Sequence, residues 1–327
     1  MTQKIGVIGA GIAGAWIANQ LTAAGHDVVV LEKSRGLGGR MATRRRDNIA
    51  FDHGAQFFTA RSEAFQTMLD THRHAIERWT PRVVTLGAVA KPFKRPWFEP
   101  HYVGVPGMGA LCKSLLSNVT VELSFEASSV KRADRGWTVM DKTGTQRLFD
   151  WVICTAPAEQ TKHLIPDAPL DDAAYSPCFA LLAYLEQPPR FDAAVVRGDI
   201  IDWMAVTSSR PSRVSQPVGI IAHATPTWSQ QHFETDSEQL VRQLVAAVQR
   251  LGVSVSEVAA LHRWRYARVT QPHRRPFWIN TQEQLAACGD WGVGANVEDA
   301  FTSANELLEC LRSRSTLVAP SSRQPRV

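Results

Sequence analysis

Lys4-Ile5-Gly6-Val7-Ile8-Gly9-Ala10-Gly11-Ile12-Ala13-Gly14, continued to Leu31-Glu32-Lys33, is the stretch that decides the fold. Lys4 to Ile8 is a short apolar strand with its polar residue at the outer end. Gly9 to Gly14 matches G-x-G-x-x-G. An Ala-rich, Pro-free helical pattern runs from Ile12 to Ala24, and Gly25 stops it. Asp27 to Leu31 is a second strand, closed by Glu32. Strand, glycine turn, helix, strand and terminal acid together form the β-α-β dinucleotide fingerprint. Gly9 permits the tight turn, Gly11 lets backbone approach a pyrophosphate, and Gly14 lets helix pack on strand. The helix start offers free N–H groups and a positive dipole end to phosphate. Glu32 stands where a carboxylate accepts hydrogen bonds from ribose hydroxyls.

Beyond Glu32 the chain continues Ser34-Arg35-Gly36-Leu37-Gly38-Gly39-Arg40-Met41. A Gly-Gly-Arg turn there exceeds a plain NAD domain. Its glycines let backbone amides approach phosphate, and Arg40 adds a planar charged fork. Residues 61–100 read as a helix and then a loop with several Trp and Pro, an excursion into another domain. A loop at 102–109 feeds a helix at 109–117. Short β segments follow at Val119–Leu123, Val130–Arg132 and Trp137–Met140, and a buried strand at 150–157 ends in Pro157. Strands are expected at Phe179–Leu185, Trp203–Val206, Gly219–Ala224 and Val258–Tyr266, with a helix over Ser237–Leu251. The chain then returns through a strand, Gln284 to Asp290, and a helix from Val297 to Leu311 capped by Asn296. The Ser/Arg/Pro-rich tail from Ser313 is expected to be flexible.

The chain has 327 residues, 44% hydrophobic and 20% charged, which suits a globular protein of more than one domain. No apolar run is of membrane-spanning length, and the strand at Lys4 leaves no room for a signal peptide. The five cysteines lack C-x-x-C pairing, and the histidines lack metal-ligand spacing. Reduced thiols in a cytoplasmic protein without a metal are expected. A net charge of +5 carries no nucleic-acid motif with it. Arg44-Arg45-Arg46 reads as a solvated loop, or as attraction for a phosphate-bearing substrate.

Gly9 to Gly14, Glu32, Gly38-Gly39-Arg40, the Ile153–Pro157 strand end and Gly289-Asp290 resemble the flavoprotein amine oxidase superfamily. Within it the likeness is to the renalases, particularly the bacterial ones. The carrying residues are Gly38-Gly39-Arg40-Met41, Asp52-x-Gly54-Ala55-Gln56-Phe57, Pro106-Gly107-Met108, His223-Ala224-Thr225, Arg263 to Arg268 and Cys288-Gly289-Asp290-Trp291. The resemblance implies an α/β fold like that of p-hydroxybenzoate hydroxylase: a Rossmann-like FAD-binding domain plus a sheet-based substrate domain. The first takes residues 1–60, 101–160 and 276–312. The second takes 61–100 and 161–275, with 313–327 as tail. The resemblance further implies non-covalent FAD and an NAD(P)H oxidase type of activity on dihydro isomers of NAD(P). Hydride goes to flavin and electrons to O2, giving NAD(P)+ and hydrogen peroxide. Two residues depart from the pattern: His53 stands where relatives tend to carry an apolar residue, and Asp299 where Gly is common.

FAD contacts are expected at Gly9, Gly11, Ile12, Ala13 and Gly14, at Glu32 and Lys33, at Gly39 and Arg40, at Gly54, Ala55 and Gln56, at Val130, and at Gly289, Asp290 and Val297. Gly289-Asp290 can present an N–H and a carboxylate. The helix after it can aim its positive end at the flavin and stabilise a reduced anion. Gln56, Phe57, His223, Trp228, Arg263 and Tyr266 are the candidates for the substrate pocket. For the aromatic ones core packing is the competing reading, for His223 an interior histidine, for Arg263 pairing with surface acids. No acid–base set stands out, which suits hydride loss from a ring that becomes aromatic. There is one G-x-G-x-x-G, so a nicotinamide reductant has to bind in the second domain. No Lys follows Lys162, which removes the residue that many amine oxidases use near the flavin. A flavin amine oxidase or desaturase, and a flavin-binding protein without turnover, remain the alternatives. No membrane, nucleic-acid or obligate protein partner is expected.

Overall fold

The computed structural model describes residues 2–87, 93–94, 99–314 and 317. The chain forms two compact units, Met1–Gly39 with Cys112–Ala174 and Val269–Val327, and Arg40–Leu111 with Tyr175–Arg268. Residues 40–60 and 101–111, expected with the first unit, fall in the second. Residues 161–174 and 269–275 fall in the first.

The first unit is built on a six-stranded sheet. Its strand order is Phe277–Asn280, Leu285–Cys288, Trp151–Cys154, Lys4–Ile8, Asp27–Glu32 and Thr120–Leu123. The last five run parallel, and Phe277–Asn280 is antiparallel at one edge. Parallel strands covered on both faces have to be apolar throughout. Trp151–Cys154 and Leu285–Cys288 accordingly have no exposed residue. Gly6 is required by packing: a Cβ there would lie 2.6 Å from the Phe149 ring. The helix Ile12–Ala23, with Ala24 as C-cap, packs against the helix Val297–Ser313. The Trp16 and Phe301 rings meet at 5.1 Å, and Trp16 Nε1 donates to Asn305 Oδ1 at 3.2 Å. A three-stranded antiparallel sheet, Ala127–Arg132, Trp137–Asp141 and Gln146–Phe149, completes this unit.

The second unit is built on a seven-stranded sheet ordered Val255–Gln271, Ala174–Leu185, Gly219–Ala224, Ile201–Val206, Ala193–Val196, Val83–Leu86 and Phe93–Lys94. Strand alternation gives it two faces. Phe179, Leu181, Met204, Ala222 and Ala224 face one way and pack with Leu240, Leu244 and Val248 of the helix Ser237–Arg250. Asp236 caps that helix, its carboxylate accepting from Glu238 and Gln239 N–H. Ala180, Leu182, Tyr184 and Ile221 face the other way, onto Ile49 and Phe51.

Ile49 and Phe51 belong to a hairpin, Thr43–Arg46 with Ile49–Asp52, so the basic run Arg44-Arg45-Arg46 is a strand rather than a loop. Its turn residues Asp47 and Asn48 have φ of 48° and 65°, a left-handed pair that these two residue types tolerate. The hairpin was missed because the charged side chains hide its alternation. Residues 61–100, expected as helix then loop, hold the helix Glu63–Thr71 and the strands Ile76–Arg78, Val83–Leu86 and Phe93–Lys94. Of the expected tail, Ser313 ends the last helix, Arg314 caps it, and Leu317 is buried with its carbonyl bonded to His26 Nε2. The rest of the tail lies outside the described residues. Among the described residues no helix is long and apolar enough to cross a membrane, and no cluster of three or more His, Cys, Asp and Glu is placed to hold a metal.

Candidate functional site

In the first unit the glycine turn is held by backbone approach. Gly9 has φ 107°, and its N–H donates to Leu31 O at 2.9 Å. A Cβ on Gly14 would lie 2.0 Å from Gly9 O, so helix and strand could not meet with any other residue there. A Cβ on Gly11 would meet nothing within 4 Å, so the chain leaves open space over the helix start. No side chain caps that start, and no acid lies in its first turn. Its amides and dipole are left for an anion. The Gly38-Gly39 turn closes over it: Gly38 N–H donates to Ala10 O at 2.9 Å, and a Cβ on Gly39 would lie 3.2 Å from Gly11 Cα.

Glu32 is 5% exposed. Its Oε2 accepts from Ala10 N–H and its Oε1 from Ser34 N–H, both at 2.8 Å. A carboxylate has about four acceptor sites, so two bonds fix its plane and leave lone pairs for a diol. Burial and the Glu32 charge push the neighbouring Cys112 thiol up to about 12, so it carries no thiolate chemistry near neutrality. Bare amides over open space beside a fixed, buried carboxylate fit the pyrophosphate and ribose of a dinucleotide. Ile12 and Ala13 are buried in the helix start and contribute amides, whereas Lys33 is exposed.

Of the remaining first-unit candidates, one amide is already used within the protein. Gly289 N–H donates to Ser303 Oγ at 2.8 Å, so that amide is occupied within the protein. Asp290 is 4% exposed, and its Oδ1 accepts from Trp291 N–H at 3.0 Å. Asp299 Oδ2 accepts from Asn296 N–H at 2.8 Å and Nδ2 at 3.0 Å, so a carboxylate already neutralises the start of the helix at Val297. Val130 is half-buried in the antiparallel sheet, paired with Val139.

In the second unit the organising group is Asp52, which is fully buried. Its Oδ2 pairs with Arg213 Nη2 at 2.7 Å and with Arg210 Nε at 3.7 Å. Its Oδ1 accepts from Thr43 Oγ1 at 2.6 Å and Met108 N–H at 2.9 Å. Burial pushes this carboxyl up, but the two guanidiniums and the hydrogen bonds outweigh it and hold the pKa below the usual value. Burial, opposed by Asp52, lowers Arg210 to about 10. Arg210 also lies over the Trp79 ring at 4.8 Å.

This buried network holds Gln56. Arg210 Nη2 donates to Gln56 Oε1 at 2.7 Å, Trp203 Nε1 donates to it at 3.4 Å, and Gln56 Nε2 donates to Asp52 O and Gly54 O. Phe57 adds an aromatic cluster with Trp79, His101 and Trp203. His223 stands opposite Trp203 in the sheet register, and its Nε2 donates to His53 O at 3.0 Å. Trp264 Nε1 donates to the same carbonyl at 3.0 Å, and its ring stacks on His53. A Cβ on Gly54 would lie 2.0 Å from Arg40 O, and Ala55 N–H donates to that oxygen at 2.8 Å. His53, His223 and His262 are each pushed down to about 4, chiefly by burial. All three are neutral at pH 7.

Gln56, Phe57 and His223 are thus brought together, and the other three pocket candidates are not. Trp228 belongs to the core on the helix-covered face, stacked on His232. Arg263 reaches that face too, donating to Phe233 O and Thr235 O at 2.6 Å and to Ser237 Oγ at 3.0 Å. Tyr266 meets Tyr175, whose ring lies 5.8 Å from the Arg40 guanidinium. Sequence reasoning missed Arg210, Arg213, Trp203 and Trp264. The first two sit in a loop without periodicity. Trp203 was legible as the residue alternating with buried Met204.

The profile of the flavin containing amine oxidoreductases matches residues 97–306, and that of a NAD(P)-binding Rossmann-like domain matches residues 7–71. Renalase of Mus musculus is 20% identical over 94% of this chain and 98% of its own length. Among solved structures, a protein assigned as a protoporphyrinogen oxidase from Exiguobacterium sp. 255-15 is similar with a TM-score of 0.77 and 12% identity, covering 96% of this chain and 99% of that one. A putrescine oxidase bound to putrescine is similar with a TM-score of 0.72 and 11% identity, covering 96% and 100%.

Proposed function

Because the chain belongs to the flavin containing amine oxidoreductase family, and so is an FAD-dependent oxidoreductase, we propose that it oxidises dihydro isomers of NAD(P) to NAD(P)+. Bound without a covalent link, FAD would supply the acceptor for the hydride and a route for its electron pair to O2, which with one proton from solvent gives hydrogen peroxide. The amides from Gly11 to Gly14 would hold its pyrophosphate and Glu32 a ribose, while Gly39 keeps its turn close to that backbone.

One observation carries the choice of substrate. The titratable groups that touch Gln56 and His223 directly are placed so that they do not exchange a proton near neutrality. Asp52 is locked between Arg210 and Arg213. His53 and His223 are held at about 4, too weakly basic to take a proton from an ammonium. Amine oxidation needs a neutral amine, and so a group or water that accepts a proton. Hydride loss from a dihydronicotinamide needs none, because the ring becomes an aromatic cation. For that step the residues around Gln56 and His223 have only to orient the ring and exclude water. The distant likeness to renalase supports the same reading.

The test is an anaerobic titration of the FAD-loaded protein, following the flavin band. Dihydro-NAD(P) isomers are expected to bleach it within seconds, with ordinary NADH slower and primary amines inert. Bleaching by putrescine or benzylamine alone overturns the proposal in favour of an amine oxidase. A flavin that no reductant bleaches points to a binding protein without turnover.

A further inference from the structure

The His53 carbonyl oxygen accepts two ring N–H bonds, from His223 and from Trp264, each 3.0 Å long. A carbonyl only accepts, so His223 has to carry its proton on Nε2. Its Nδ1 then carries a lone pair. That atom has no hydrogen bond among the described residues, and it is not one of the buried atoms lacking a partner, so it is not sealed in the interior. Its neighbours are flat and mostly satisfied. Trp203 lies opposite in the register, with its Nε1 on Gln56. Both ends of the Gln56 amide are bonded within the protein. His223 therefore presents an unmatched acceptor beside aromatic rings.

We propose that His223 Nδ1 is a specificity-determining acceptor that takes an N–H of the substrate's carboxamide, orienting the nicotinamide against Trp203. The role rests on the dihydronicotinamide reading above and deepens it. An acetyl or carboxylate group at the same ring position brings no N–H and leaves Nδ1 unmatched. Trp264 and the His53 carbonyl act through His223 as positioning groups, since they fix its tautomer. Because the ring is pushed down to about 4, the acceptor persists across the working pH range.

The test compares dihydro-NAD isomers with the same isomers of the 3-acetylpyridine analogue, which lacks the N–H. The wild-type protein is expected to favour the carboxamide about tenfold or more in kcat/KM, the worth of a hydrogen bond whose loss strands a polar group. His223→Phe should remove that preference while retaining FAD. Nitrogen NMR of histidine-labelled protein should show one ring with a protonated Nε2 and a bare Nδ1 that titrates only near pH 4. Equal rates for the two analogues in the wild type, or a preference that survives in folded His223→Phe, overturn the role of His223 while the substrate class stands. Reduction by putrescine but by neither dinucleotide overturns both. If His223→Phe fails to fold, the wild-type ratio and the nitrogen spectrum decide alone.

Discussion

Two buried carboxylates illustrate how the same chemical group serves opposite ends. Glu32 keeps lone pairs for a ligand, whereas Asp52 is consumed by its own protein. Glu32→Gln turns one acceptor oxygen into a donor facing either the Ala10 or the Ser34 N–H. It should weaken FAD binding by about 1.5–3 kcal/mol, read as the Kd for FAD of the refolded apoprotein. Unchanged affinity would show that the ribose is held elsewhere. Asp52→Asn strands Arg210 and Arg213 without a counter-charge in a buried site. A loss of about 3–5 kcal/mol is expected in urea unfolding. The histidines set a pH window of their own. Each binds a proton readily when unfolded, near 6.5, and only near 4 when folded. The unfolded chain therefore takes up more protons between those values, and stability falls as pH drops from about 6.5 to about 4. The melting temperature should follow that fall, and His262→Phe should flatten it. A flat profile through the window in the wild-type protein would rule these neutral histidines out as a source of pH dependence.

At the level of elements, the two ends of the nucleotide sheet treat their helices unlike one another. The helix at Ile12 starts bare, and the helix at Val297 starts with Asp299 already in place. The sequence carried both facts: glycines and alanines at the first start, Asn296 and Asp299 three residues apart at the second. What it concealed was which amides were already taken, since Ser303 meets Gly289 from one helix turn further on. Gly14→Ala puts a carbon where Gly9 O lies, so it should displace the helix and abolish FAD retention; retention of the yellow colour would contradict that packing. In the second unit, alternation along Gly219–Ala224 sets His223 on the face opposite Ala222 and Ala224. The same alternation does not rescue Arg263, whose strand is long and whose acceptors lie in the loop before a helix. Arg263→Ala should lower thermal stability and leave the substrate KM unchanged; a raised KM with unchanged stability would return it to the binding site.

For the molecule as a whole, periodicity exposed the elements that repeat a simple pattern. The first strand, the helix Ser237–Arg250 and the strand Gly219–Ala224 were legible to within a residue or so. The hairpin Thr43–Asp52 was not, since its charges mask the alternation, and the strands Val83–Leu86 and Ala193–Val196 were not, since four residues each are too few to show a period. The buried Asp52–Arg210–Arg213 network was invisible too: Asp52 lies more than 150 residues before its two arginines, and nothing local announces the pairing. The strand order of the first sheet has a consequence for synthesis. Leu285–Cys288 hydrogen-bonds to Trp151–Cys154, yet it leaves the ribosome more than 130 residues later. Until then Trp151–Cys154, apolar on both faces, is an open edge ready to pair with another chain. A nascent chain halted between those strands should therefore demand chaperone protection, and release comes only when Leu285 to Cys288 has been translated.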